Sequence, residues 1–165
     1  MAVSGIARVN EYAEEVPRLV PEEFFSGALI AHGVVKNRSG KVFRRFRATI
    51  NAHWQNGVGT LDEHFVFTDG EVTDRIWTLK PAGDSHYTGT APDIVGAANL
   101  QVAGNSMFLD YVLRVPYRKG SVDLRLDDRM YLVSPNVLIN ESRMQKWGFT
   151  VGQVVLVMEK SEALQ

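Results

Sequence analysis

The stretch Gly59–Leu79, GTLDEHFVFTDGEVTDRIWTL, consists of two alternating runs joined at Thr68-Asp69-Gly70. An Asp-Gly pair between alternating runs is the strongest short-range signal for a β-hairpin. Successive side chains of a strand point to opposite sides. Leu61, Glu63, Phe65 and Phe67 therefore share one face of the first arm, and Arg75, Trp77 and Leu79 share one face of the second. One acid and one base lie on faces that are otherwise apolar and aromatic. The pattern predicts an antiparallel sheet rolled around a core or cavity that also holds charged groups.

The remaining punctuation supports that reading. Strand-like segments run over Ala28–Val35, Lys41–Trp54, His86–Ala91, Ile94–Ala103, Ser106–Tyr117, Ser121–Val133 and Gln153–Lys160, with a stub at Val137–Ile139. They are separated by Gly/Asn/Asp/Pro turns such as Asn37-Arg38-Ser39-Gly40 and Gln55-Asn56-Gly57. Short strands at even spacing indicate an up-and-down meander, and closure removes its exposed edges. The predicted fold is all-β: an antiparallel β-barrel of about nine or ten strands with short N-terminal and late helical turns. A sandwich is the alternative. Residues 1–20 read as an N-terminal arm or short helix, 21–160 as a single barrel domain and 161–165 as a frayed tail. Pro21-Glu22-Glu23 suits a helix start, and Phe24 and Phe25 behind it would plug one end of the body. Asn140–Trp147 reads as a helical turn with Asn140 as N-cap and Gly148 as its stop.

Composition excludes several functions. With 165 residues, 18 Lys and Arg against 19 Asp and Glu, and a net charge of −1, the chain as a whole carries no footprint for nucleic acid or an anionic membrane. Arg44-Arg45-Phe46-Arg47 is the local exception, read as solvated arginines on one strand. There is no cysteine, which excludes disulfides, thiolate catalysis and zinc–thiolate sites. His32, His53, His64 and His86 lack ligand spacing, so no metal is expected. No P-loop, dinucleotide fingerprint or nucleophile elbow occurs, so no cofactor is expected. No apolar run approaches the ~20 residues of a membrane helix, and MAVSGIARVNEYAEE lacks the apolar core of a signal peptide. The expectation is a cytoplasmic protein without a stable membrane anchor.

Along the chain, FFSG at Phe24–Gly27, RSGKVFRRF at Arg38–Phe46, GTLDEHFVFTDG at Gly59–Gly70 and RIWTL at Arg75–Leu79 recur in order with YTGTAPDIVGAA at Tyr87–Ala98. AGN at Ala103–Asn105, DDRMYL at Asp127–Leu132 and KWGFTVGQVVL at Lys146–Leu156 follow. This series resembles a bacterial family of unknown function (domain of unknown function 3833), from about Tyr12 to Lys160. The resemblance implies a lipocalin-like (calycin-type) barrel and lipid-derived ligands. Relatives usually carry a lipoprotein signal with its cysteine, an aromatic residue at the position of Arg129 and a tryptophan at that of Leu109. The sequence departs on each point, which puts a membrane-anchored role in doubt and implies a soluble relative.

Glu63, Arg75 and Asp128 fall in register with apolar neighbours, as does Arg44 between Val42 and Phe46. Charges facing an interior are costly unless paired or solvated. One reading is a structural network, Glu63 with Arg75 and Asp128 with Arg44. The other is a lined cavity in which the arginines orient a ligand carboxylate or enolate and an acid moves a proton. On that reading Glu63, Asp128 and Tyr111 are the candidate catalytic residues. Arg44, Arg75, Trp54, Trp77, Phe65 and Met130 are the candidate ligand contacts. Trp147 reads as a lid or plug.

Three functions compete. The first is a barrel that binds a small hydrophobic or lipid- or polyketide-derived molecule with a polar head. The second is a cofactor-independent isomerase or cyclase acting on such a molecule. The third is a structural or interaction module that forms a homodimer through the N-terminal arm and late helix.

Overall fold

A computed structural model describes residues 6–161. Ten strands form a closed antiparallel barrel: β1 (Gly27–Asn37), β2 (Val42–Gln55), β3 (Val58–Phe67), β4 (Val72–Pro81), β5 (His86–Thr90), β6 (Ile94–Ala103), β7 (Ser106–Tyr117), β8 (Gly120–Ser134), β9 (Val137–Lys146) and β10 (Phe149–Lys160). Each strand pairs with its chain neighbours, and β10 closes on β1 from Leu29↔Lys160 to Asn37↔Gly152. Every strand thereby has a partner on both sides, with the short β5 reaching only Thr78–Pro81 of β4. The predicted hairpin is β3–β4, with Glu63 opposite Arg75 and Leu61 opposite Trp77. Inward positions of β2 and β3 alternate with more accessible ones, and Ala48, Ile50, Ala52 and Leu61 are buried in the core.

The two ends of the barrel differ. One end is sealed by a short helix, α1 (Pro21–Phe24), whose Phe24 and Phe25 are buried. Trp54 Nε1 donates to the Phe25 carbonyl at 2.9 Å, Tyr87 Oη donates to Glu22 at 2.7 Å, and Lys160 Nζ donates to the Glu23 carbonyl at 2.6 Å. The other end carries the β1–β2, β3–β4, β7–β8 and β9–β10 hairpins and the β5–β6 loop.

The late helical turn is not formed, because Asn140–Trp147 lies largely within β9. Leu138, Asn140 and Ser142 are all buried along β9, and Met144 packs against the core. The alternation is thus intact, but two polar residues on its inward face conceal it. Trp147 (φ 51°) and Gly148 (φ 79°) are the left-handed pair of the β9–β10 turn, the geometry of a two-residue hairpin. Asn and Gly serve helix ends and tight turns alike, which explains the misassignment. Among the described residues, helical turns are confined to α1 and a 3₁₀ turn at Val9–Tyr12.

That 3₁₀ turn packs the arm on the outside of its own barrel. The Tyr12 ring lies 5.9 Å from Phe108 and 5.5 Å from Tyr131, and Arg129 donates to the Ala7 carbonyl at 3.0 Å. The expected arm falls outside the described residues over 1–5. So does the expected frayed tail over 162–165, whereas the Ser161 amide donates to Ala28 at 2.9 Å.

Gly104 pins the arm: its φ is +55°, and a Cβ there would lie 1.8 Å from the Tyr12 carbonyl oxygen. Gly104→Ala is expected to cost about 1–3 kcal/mol in chemical denaturation and to open the arm to proteolysis. Gly120, which has open space around it, serves as the control, and Gly120→Ala should leave both readouts unchanged.

Candidate functional site

The barrel encloses a cavity of about 230 Å³, larger than the ~150 Å³ apolar cavity that admits benzene. It begins at Phe25 above the seal and reaches Phe67, Thr73, Met144 and Val154 near the hairpin end. Core positions near the seal, such as Leu29, Ile50 and Leu100, are almost fully buried. At the hairpin end Phe67 and Val154 are half-buried and Thr73 is exposed. The mouth therefore lies among the hairpins.

The walls are mostly aromatic and aliphatic because the strands alternate, and the polar lining is a small set of side chains. Glu63 and Arg75 face each other across β3–β4. Asp128 on β8 has Leu109 of β7 and Ser142 of β9 as its neighbours in register. Tyr111 Oη donates to Asp128 Oδ2 at 3.0 Å, and Ser142 Oγ donates to Asp128 Oδ1. The Trp77 ring meets Tyr111 edge-on at 5.4 Å. Asn140, 4% exposed, lines the same space, and its buried Oδ1 has no hydrogen-bond partner among the described residues.

The electrostatics follow from burial. Desolvation pushes the Glu63 carboxyl up to about 7, opposed by Arg75 and reinforced by Asp128 and Asp93. Desolvation also raises Asp128, to about 6, against the hydrogen bonds from Ser142 and Tyr111 and the charge of Arg75. The Tyr111 phenol is held well above its ordinary range, first by burial and then by Asp128. Burial works against the Arg75 charge, but the Asp93 hydrogen bonds and Glu63 outweigh it. Those bonds run from Nε at 3.1 Å and from Nη2 at 2.7 Å. The guanidinium thus arrives at the cavity already neutralised, whereas Asp128 and Asn140 present acceptors and Glu63 accepts or donates according to its protonation.

The structure brings Glu63, Asp128, Tyr111, Arg75, Trp77, Phe65 and Met130 together around the cavity. It separates two other candidates from them. Arg44 is not paired with Asp128; it stacks 3.6 Å above the Phe67 ring and binds Asp69 (3.2 Å) and Glu71 (3.0 Å) at the rim. Its position near the end of β2 carries the guanidinium to the β3–β4 turn. Trp54 is part of the seal, bonded to Phe25 and edge-on to Tyr87 at 6.3 Å. Trp147 is neither lid nor plug, being 86% exposed at its turn. Arg129 lies on the outer side, 4.7 Å above the Phe108 ring. Sequence reasoning missed Asn140 and Ser142, which the two-residue period from Leu138 to Met144 would have revealed. It also missed Asp93, for which an acid in a Pro-Asp turn gives no signal.

Among the described residues, no group of three or more His, Cys, Asp or Glu is placed to hold a metal, and no helix is long and apolar enough to cross a membrane.

A family model described as a protein of unknown function (DUF3833) matches residues 1–160. No curated protein sequence matches the chain. Among solved structures, an S-type phycobiliprotein lyase (CPES) from Guillardia theta superposes with a TM-score of 0.64 at 10% identity, covering 88% of this chain and 94% of that one. A protein of unknown function from the DUF3598 family of Nostoc punctiforme gives a TM-score of 0.62 at 15% identity, covering 89% of this chain. The aligned region is 51% of that protein, so the chain spans about half its length. These likenesses are of fold.

Because the folded protein holds the Glu63 proton more tightly than an unfolded chain, this contribution to stability is complete below about pH 4.5 and is lost as pH rises through about 7. Asp128 acts in the same direction between 3.8 and about 6. Glu63→Gln should therefore match the parent near pH 4 and exceed it by about 2–3 kcal/mol near pH 8 in chemical denaturation. Parallel stability–pH curves for the two proteins would refute the buried-carboxyl assignment.

Proposed function

The chain belongs to the DUF3833 family of proteins of unknown function, and from that premise we propose that its barrel binds a small hydrophobic, lipid- or polyketide-derived molecule whose polar head donates hydrogen bonds. The observation that carries this reading is the acceptor-rich polar lining of an otherwise apolar cavity. Asp128 and Glu63 are buried carboxyls, and Asn140 has a buried oxygen without a partner among the described residues. Arg75, the one cation among the described residues that line the space, is engaged by Asp93. A ligand carboxylate would add another acid to this group in a low-dielectric site, which is unfavourable. A hydroxyl or amine would satisfy the Asn140 oxygen, which otherwise loses hydrogen bonding on burial. Arg75 thus shapes the polar end in place of the anion-orienting role expected for it.

Within this reading Phe65, Trp77 and Met130 contact the apolar body of the ligand, and Glu63, Asp128 and Asn140 contact its head. A second reading is favoured by one observation: Glu63 and Asp128 titrate near neutrality in one cavity, as proton-transfer groups do. On that reading the protein is a cofactor-independent isomerase or cyclase, with Asp128, oriented by Tyr111 and Ser142, as the base. The fold shared with a phycobiliprotein lyase supports it at the level of scaffold alone.

Titration with medium-chain alcohols and amines should raise the melting temperature, and matched carboxylic acids should do so much less. Asp128→Asn is expected to weaken the alcohol about tenfold or more, and Leu109→Trp, which puts bulk into the cavity, should abolish binding. Native mass spectrometry of freshly purified protein that releases a fatty acid would overturn the donor-head assignment. Deuterium wash-in at a ligand carbon by the parent protein in heavy water, absent from Asp128→Asn, would favour the isomerase reading.

A further inference from the structure

The rim around the mouth has a surface character the cavity does not require. Large apolar side chains stand exposed on three hairpins that are neighbours around the barrel: Phe43 (58%), Tyr117 (55%), Trp147 (86%) and Phe149 (64%). Interleaved with them are Arg38 and Lys41 of β1–β2, Arg118 and Lys119 of β7–β8, and Lys146 of β9–β10. Lys146 Nζ sits 5.3 Å from the Trp147 ring centre and the Arg118 guanidinium 5.2 Å from that of Tyr117. No carboxylate occurs from residue 24 to 61, from 115 to 122, or from 142 to 158. The net charge of −1 conceals this segregation.

The acids of the hairpin end are engaged: Asp123, on the basic arc beside the β7–β8 turn, binds Arg114 at 2.8 Å, and Asp69, Glu71 and Asp93 lie on the opposite arc. Asp69 and Glu71 of β3–β4 bind Arg44, and Asp93 binds Arg75. The end of the barrel therefore has one basic, aromatic side and one neutralised side.

We propose that this three-hairpin rim docks reversibly on the surface of an anionic phospholipid bilayer, with Trp147 and Phe149 entering the interface and the cations meeting the headgroups. Tryptophan and tyrosine favour the membrane–water interface, and clustered Lys and Arg are drawn to negative lipid surfaces. A second copy of the chain is disfavoured, since two rims of like charge would repel. Docking in this orientation sets the mouth of the cavity against the bilayer. The inference stands on the rim and does not depend on what the cavity holds.

Vesicle co-sedimentation tests it with lipids alone. The parent protein should partition onto phosphatidylglycerol-containing vesicles and only weakly onto pure phosphatidylcholine, and added salt should release it. Tryptophan emission should shift to the blue on binding, and Trp147 should report it, because Trp77 is buried and Trp54 is packed into the seal. Trp147→Ala/Phe149→Ala should lose partitioning at least about tenfold, and Arg118→Glu/Lys119→Glu should remove the preference for anionic lipid. Both pairs are exposed residues at or beside the turns, so unchanged melting confirms folding. Failure of the parent to bind either vesicle, or equal binding unaffected by the variants, overturns the proposal. So does a dimer in light scattering that Trp147→Ala/Phe149→Ala dissolves, which would assign the rim to a second copy.

Discussion

The pairing of β1 with β10 is the constraint on which the other features depend. It joins the start of the sheet to its end over Leu29–Asn37 and gives each strand a partner on both sides. It also fixes the number of strands. Ten antiparallel strands close only if residues 137–146 add a strand between β8 and β10, whatever their helix-like end signals. Once β9 is in the ladder, alternation turns Asn140 and Ser142 inward beside Asp128. The polar site is thus a consequence of closure.

A closed interior also sets the electrostatics. Charges removed from water lose solvation that protein groups replace only in part. Arg75 is compensated by a two-nitrogen contact with Asp93, at the edge where solvent still reaches both groups. Asp128 is compensated by the Tyr111 and Ser142 hydroxyls, a weaker arrangement that leaves its carboxyl raised. Glu63 has the neighbouring Arg75 charge but also two nearby acids, and it is raised further. The structural and functional readings of these residues are therefore not exclusive. The contacts that hold the strands in register are the same ones that set which groups remain able to accept a proton or a hydrogen bond.

The asymmetry of the two ends gives the molecule a direction. Aromatic residues at the sealed end are tied to α1 through Trp54, Tyr87 and Lys160. Aromatic residues at the hairpin end project outward among cations. Similar residue types thus serve as a stopper at one end and as a surface at the other, according to whether the chain folds back over them.

Much of this was legible in the sequence. Period-two alternation and Gly/Asn/Asp turns carry strand positions and inward faces, because side-chain direction in a strand is a local property. Glu63, Phe65, Trp77, Tyr111, Asp128 and Met130 could be placed on the cavity wall from spacing alone. Local pattern does not record which strands become neighbours. Arg44 has the right parity for the interior, yet it lies near the end of β2 and is captured by Asp69 and Glu71 across the β3–β4 turn. Trp54 has the same parity but lies beyond the cavity floor. Asp93 reaches Arg75 only because the β5–β6 loop folds beside β4, and Asn140 and Ser142 join the site only because closure makes β9 a strand. The rim follows the same rule, since Arg38, Lys119 and Trp147 are far apart in the chain. Periodicity decided which way each side chain faces; height along the barrel and adjacency around it decided what each side chain meets.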